Sequence, residues 1–231
     1  MNDYTTTQLL YFCNQIVSGG TIGYPHTEQE QLLWNTLDYV AGVDEAGRGA
    51  LAGPVVAAAV VLPRHCKSIS GVRDSKQITH KQREEMLEEI TGIAVCIGVG
   101  IVEHDVIDEI NILQATYCAM NDAIAQLQPV PEFLLIDGNR FTESTIPFKT
   151  IVAGDDSSLS IACASIVAKV TRDRIMDALH LDYPVYGFAK NKGYGTTAHR
   201  HAILQHGTCE VHRSTFLRKL FETQYTLFGE K

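Results

Sequence analysis

Val40-Ala41-Gly42-Val43-Asp44-Glu45-Ala46-Gly47-Arg48-Gly49 is an apolar run that passes into two adjacent carboxylates and then into a glycine-flanked arginine. Asp38 to Asp44 reads as a core strand, and Pro54 to Leu62, a run of Val and Ala, as a second strand buried on both faces. Nine residues separate Asp44 from Pro54. A parallel pair needs a crossover of about a dozen residues or more, so these strands are expected to be antiparallel neighbours with Gly47-Arg48-Gly49 in the turn region. Successive strand residues point to opposite faces, so Asp44 and Glu45 serve one site only if the strand stops or bulges there, which Gly47 permits.

Outward from this stretch, the chain of 231 residues, 45% hydrophobic and 20% charged, has the balance of a globular protein with one main domain. Its longest strongly apolar run, Val55 to Leu62, is too short to span a bilayer, and no basic segment precedes an apolar signal core. A cytoplasmic chain without a membrane partner is expected. Cys13, Cys66, Cys96, Cys118, Cys163 and Cys209 form no C-x-x-C pair, which argues for buried thiols rather than a zinc knuckle or disulfide framework. The net charge of −8 speaks against a nucleic-acid binder, but its distribution does not. Residues 1–39 carry four acids and no Lys or Arg, residues 40–168 carry nine basic and seventeen acidic residues, and residues 169–231 carry ten basic and six acidic. The last part also holds five of the nine histidines, so a phosphate-tracking surface fits there while the acidic middle supplies metal ligands.

Before the first strand, Gln8 to Val17 and Glu28 to Leu37 are short helical patterns, expected to pack Leu9, Leu10, Phe12, Leu33 and Trp34 on the main domain without chemistry of their own. After the second strand come the polar loop Asp74-Ser75-Lys76 and a helix from Thr79 to Ile90, capped by Thr79 or Ser75. Val95 to Val102 is a third strand whose Gly98 and Gly100 share a face, which predicts close packing there. A helix from Ile112 to Leu127 precedes Glu132 to Asp137, a buried strand that again ends in a carboxylate, and Pro147 to Val152 is a fifth strand. The loop Gly154-Asp155-Asp156-Ser157-Ser158 leads into a long helix, Ile161 to Leu179, whose small residues Ala162 to Ala168 read as a close-packing face. Tyr183 to Gly195 is a glycine- and tyrosine-rich loop, followed by helices Thr197 to His206 and Ser214 to Tyr225. An α/β domain on a mixed sheet fits this order.

Asp44, Glu45, Asp137 and Asp155 or Asp156 thus sit at strand ends and loop starts, where carboxylates can converge. Hard oxygen ligands in that number suit Mg²⁺ or Mn²⁺, which activate water and stabilise the leaving oxygen of a phosphodiester. Acids at strand ends are also common turn residues, and spacing alone leaves both readings open. Gly42 to Gly47 has the spacing of a P-loop but continues as Arg48-Gly49 where Lys and Ser or Thr are required, and no third glycine completes a dinucleotide fingerprint. His104 reads as a surface or capping residue.

Gly42 to Gly49, Asp74-Ser75-Lys76, Asn111-Ile112-Leu113, Leu135-Ile136-Asp137-Gly138-Asn139, Gly154-Asp155, Ala164 to Asp173, Lys192-Gly193-Tyr194-Gly195-Thr196 and, more loosely, His212-Arg213-Ser214 with Phe216 together resemble bacterial ribonuclease HII, in collinear order from Tyr39 to Leu217. The resemblance implies a ribonuclease H-like fold: a mixed central sheet flanked by helices, in a catalytic core over 39–182, with a helical extension over 1–38 and a helical substrate-binding region over 183–231. It implies an endonuclease that cuts RNA in RNA/DNA hybrids and 5′ of ribonucleotides embedded in DNA, by two-metal-ion hydrolysis giving 3′-hydroxyl and 5′-phosphate ends. By position, the catalytic and metal-binding residues are Asp44, Glu45, Asp137 and Asp155, with Mn²⁺ or Mg²⁺ as cofactor. Gly47, Arg48, Gly49 and Tyr194 meet the ribonucleotide, whose 2′-hydroxyl is the group that glycine backbone and a packed ring can read. Lys76, Lys169, Arg172, Lys190 and Lys192 are the candidate phosphate contacts. Ala153 stands where many relatives carry lysine. A monomer is expected. Gln224-Tyr225-Thr226-Leu227-Phe228 resembles the Q-x-x-L-F peptide that docks on sliding clamps, with Gln224, Leu227 and Phe228 as its key residues; the other reading is a last amphipathic turn. The competing functions are a non-catalytic nucleic-acid-binding protein, for which four carboxylates are superfluous, and a phosphatase of small substrates, which leaves the basic C-terminal part without a role.

Overall fold

The computed structural model describes residues 27–66, 69, 79–142, 144–218 and 220–221. The Gln8 to Val17 pattern, Lys76 and the Gln224 to Phe228 peptide lie outside them. The chain passes through helix α1 (Glu28–Leu33), strands β1 (Val40–Ala46) and β2 (Val55–Val61), helix α2 (His80–Ile93), β3 (Cys96–Val102), α3 (His104–Ala125), β4 (Phe133–Asp137), β5 (Phe148–Ile151) and the long α4 (Leu159–Asp182). A one-turn α5 (Phe188–Asn191) and α6 (Thr197–His206) follow, and residues 214–218 begin a further helix.

The five strands form one mixed sheet in the order β3-β2-β1-β4-β5. β1 pairs antiparallel with β2, as the short connection requires, and parallel with β4. Every residue of β2 is buried, because α4 covers one face of the sheet and α3 the other. The glycines on β3 are where α3 comes closest: a methyl group on Gly98 or Gly100 would stand 2.0 Å from the carbonyl oxygen of Ala123 or Ala119. α4 meets β1 in the same way. A methyl on Gly42 would lie 2.1 Å from the Ser160 carbonyl carbon, so the small residues that open α4 form the expected packing face.

Three details differ from expectation. β1 neither stops nor bulges at Asp44, because Ala58, Ala57 and Val56 of β2 continue to pair with Asp44, Glu45 and Ala46 in regular register. The helix expected from Ile112 begins earlier, at His104, and is broken at Asn111, whose φ of 69° lies in the left-handed region and whose Oδ1 accepts from the Leu113 and Gln114 amides. Asn111 thereby caps the second segment. The loop expected over Tyr183 to Gly195 contains the 3-10 turn Pro184–Tyr186 and α5, held by the Asn191 side chain, which donates to Tyr186 O and accepts from the Gly193 amide.

Thr79 caps α2 in a reciprocal pairing with Gln82. A third apolar cluster joins Ala52 and Met176 to Tyr186, Phe188, Ile203, Val211 and Leu217, so the region after 183 packs on the end of α4 and on the loop after β1. No helix among the described residues is long and apolar enough to cross a membrane.

Candidate active site

Register brings the first two carboxylates together. β1 and β4 run parallel and pair as far as Val43 and Ile136, so Asp44 and Asp137 follow directly on adjacent strands, close enough for the Asp137 charge to act on Asp44. Both fall on the face covered by α4, by alternation from Gly42 and Leu135. Pairing with β4 ends at Val43, and beyond it the Glu45 carboxylate borders the cavity and accepts from Arg48 at 3.0 Å. An unbroken strand therefore still delivers Asp44 and Glu45 to one site.

Electrostatics report the convergence. Burial, then the charges of Glu45 and Asp137, push the Asp44 carboxyl well above its ordinary range, against the pull of the Ser165 hydroxyl and the Glu45 amide. Burial also raises Glu45, with Asp137 adding to it and Arg48 opposing. Crowded, desolvated acids of like charge are what a hard divalent cation relieves, so the donor set fits Mg²⁺ or Mn²⁺. Among the described residues no three His, Cys, Asp or Glu side chains are grouped as a ready-made metal cage; the fit rests on the mutual repulsion of Asp44, Glu45 and Asp137. Asp155 stands half-buried on a 3-10 turn, Gly154–Asp156, which is tied to the site because the Gly154 amide donates to Asp137 Oδ1 at 2.6 Å.

Beside these acids opens a cavity of about 440 Å³, lined by Glu45, the Gly47-Arg48-Gly49 loop, Ser165, Tyr194 and the cations Arg48, Arg83 and Lys169. Gly47 has a φ of +94° and no room for a methyl, which would sit 2.0 Å from Arg172 Nε, whereas Gly49 has open space. The loop is braced by Lys192 to Tyr194: Ala50 bridges to Tyr194, and the Leu51 amide donates to Gly193 O. The Arg172 guanidinium lies over the Tyr194 ring, 5.2 Å from its centroid.

The cation assignments separate here. Arg172 is not a phosphate contact: it is fully buried and its guanidinium donates to the carbonyls of Pro54, Lys192 and Ala52. Lys192 pairs with Asp177, and Lys169 with the buried Asp173, although Lys169 still borders the cavity. Lys190 is exposed.

Four features escaped sequence reasoning. Ser165, read as packing, borders the cavity and pulls the Asp44 carboxyl down. Arg83 of α2 reaches the cavity, a long-range placement without local signal. Glu30 is fully buried at the start of α4, where its Oε1 accepts from Ser158 Oγ at 2.5 Å, Ser160 N at 2.9 Å and Ser160 Oγ at 2.7 Å. Two of the C-terminal histidines are interior rather than part of a phosphate surface. The Cys209 amide donates to His212 Nδ1, so neutral His212 carries its proton on Nε2 and gives it to His199 Nε2 at 3.1 Å, while His199 Nδ1 donates to Tyr194 O at 3.0 Å.

Residues 41–224 match the family described as Ribonuclease HII. A Ribonuclease HII of Chlorobium chlorochromatii (strain CaD3) is 49% identical over 203 residues, covering 85% of this chain and 98% of that protein. Among solved structures, the ribonuclease H2 from Pyrococcus horikoshii OT3 aligns with a TM-score of 0.66 at 29% identity, covering 80% of this chain and 98% of its own. The RNase HII of Archaeoglobus fulgidus, solved as a complex with PCNA, aligns with a TM-score of 0.59 at 25% identity, covering 76% of this chain and 94% of that one.

Proposed function

The chain belongs to the ribonuclease HII family and is a ribonuclease H acting on RNA/DNA hybrids, and we propose that it also cuts 5′ of single ribonucleotides embedded in duplex DNA, leaving 3′-hydroxyl and 5′-phosphate ends. Such an activity serves ribonucleotide and primer removal in the cytoplasm. The observation that carries the reading is the buried Asp44, under the charges of Glu45 and Asp137 at the ends of adjacent strands, beside a cavity lined by the Gly47-Arg48-Gly49 loop and Tyr194.

The family uses divalent metal ions. In our reading Asp44, Glu45, Asp137 and Asp155 hold them, and Mg²⁺ or Mn²⁺, when bound, supplies the positive charge that activates a water and stabilises the leaving 3′-oxygen. The remaining work belongs to the chain. Ser165 orients Asp44, and Arg48 holds Glu45 toward the cavity. The glycine loop lets the nucleic-acid backbone approach closely, Tyr194 offers its ring to the sugar, and Arg83 and Lys169 add positive charge along the phosphates.

The test is cleavage of a labelled DNA duplex containing one ribonucleotide, with Mg²⁺, with Mn²⁺ and with chelator, beside an all-DNA control. A metal-dependent cut 5′ to the ribonucleotide is expected. Binding without any cut would favour a non-catalytic nucleic-acid-binding protein instead, although such a protein has no use for desolvated, mutually repelling acids beside its binding surface.

We further propose that Gln224, Leu227 and Phe228 dock on a sliding clamp; the support is the peptide pattern and the Archaeoglobus relative solved with PCNA. Loss of clamp binding when Leu227→Ala and Phe228→Ala are combined is required of this reading.

A further inference from the structure

Two arginines, Arg172 and Arg213, are fully buried beneath the glycine loop, and among the described residues neither pairs with a carboxylate. Arg213 Nε donates to Gly53 O at 2.9 Å, Nη1 to Arg48 O at 3.1 Å and Nη2 to Pro54 O at 3.0 Å. Arg172 donates to the same Pro54 carbonyl, to Ala52 O and, across the gap, to Lys192 O on the segment that carries Tyr194. The two guanidinium groups thus gather carbonyls from residues 48–54 and 192 around one buried, doubly positive block. Burying two cations side by side is costly, and these carbonyls, with the Tyr194 and Phe216 rings, offset it. A packed apolar pair would fill the same space without that cost.

The arrangement does something an apolar pair cannot. In a trans peptide the C=O and N–H point in opposite directions, so drawing the Arg48 carbonyl down onto Arg213 turns the Gly49 amide away from the interior. Gly49 is exposed and borders the cavity, and its amide has no acceptor among the described residues. Arg172 meanwhile stacks on the Tyr194 ring while holding the carbonyl two residues before it. We propose that Arg213 and Arg172 are positioning residues: Arg213 sets the Gly49 amide toward the cavity, Arg172 sets the Tyr194 ring, and their contact through Pro54 O fixes one relative to the other. The amide and the ring then meet a single nucleotide in one register. This rests on the reading of the cavity as a nucleic-acid site.

Lysine keeps the charge but lacks the planar fork that meets the Gly53, Arg48 and Pro54 carbonyls from Nε, Nη1 and Nη2, so Arg213→Lys is the informative change. A long RNA/DNA hybrid offers a 2′-hydroxyl at every step and tolerates a displaced reader; a duplex with one ribonucleotide offers a single register. The expected result is that Arg213→Lys raises KM or lowers kcat on the single-ribonucleotide duplex by roughly tenfold to a hundredfold, the range for a misplacement of about 1 Å, with a loss on the long hybrid no more than about a third of that factor. Phe216→Leu, which removes the ring 5.2 Å from the Arg213 guanidinium and leaves its carbonyl bonds, is the milder second variant and should shift the ratio in the same direction. Equal losses on both substrates, or none on either, would overturn the proposal, because a reduced folded fraction lowers both alike. If the unaltered protein cuts neither substrate, it is the functional reading that fails, and the two failures are distinct.

Discussion

Asp44 bears on the stability of the fold as well as on the proposed chemistry. It is buried beside two other acids, and its carboxyl is held well above the ordinary range by that burial and those charges, so its ionised form at neutral pH is a burden on the fold. Asp44→Asn keeps the shape and removes the charge. Turnover should fall by at least roughly a hundredfold, while the Tm measured without divalent metal should stay level or rise; retained activity would remove Asp44 from the mechanism. The buried histidines make a second statement at this scale. Burial and the neighbouring His199 hold His212 down to about 4, from an ordinary value of 6.5, and His199 is lowered by burial. Below pH 6.5 the unfolded chain takes up protons that the folded chain refuses until about pH 4, so the stabilisation is complete above 6.5 and is lost as pH falls through that window. For His212 the loss is at most about 3 kcal/mol, which chemical denaturation at pH 7 and pH 4.5 would reveal. Sequence alone reaches Asp44 and Asp137, because an acid ending an apolar run is a local pattern. It does not reach Arg213, whose carbonyl partners lie 159 to 165 residues upstream.

At the scale of elements, the site depends on how closely α4 can lie on β1. Gly42 is the point of contact, and it stands two residues before Asp44 on the same face, so the crossing that needs glycine also carries Ser165 down to the carboxylate. Gly42→Ala places a methyl against backbone that cannot rotate away. It should cost about 3 kcal/mol or more, seen as a lower denaturation midpoint, and it should depress activity beyond the loss of folded protein because Ser165 moves with the helix. The antiparallel pair, the central buried strand and the paired glycines of β3 are legible from short-range spacing and alternation. The break at Asn111 is less so, since Asn within a helical pattern does not by itself say that its side chain caps a new segment. The unbroken run of β1 through Ala46 likewise depends on a partner strand, and turn residues just beyond it suggested an earlier stop.

At the scale of the whole molecule, the region that matches the family begins at residue 41, yet α1 lies before it and is part of the core. Trp34 is fully buried against the cluster beneath α4, Gln29 accepts from Lys149 of β5, and Glu30 accepts from the serines that open α4. The sequence reading assigned this stretch packing without chemistry, and Leu33 and Trp34 do pack as expected, while the buried carboxylate has no signal in composition. A chain beginning at Asp38 would uncover the space left by Trp34 and the start of α4, a loss of about 3 kcal/mol or more. Its melting point should fall by roughly 6–12 °C, and a full-length Glu30→Ala chain should show part of that fall; an unchanged melting point for the shortened chain would mean that α1 is an ornament. The limits of the family match and the limits of cooperative folding therefore differ in this protein. Shortening the chain to the stretch that matches the family would leave Asp44, Glu45, Asp137 and Asp155 in place and still yield a protein that fails sooner when warmed.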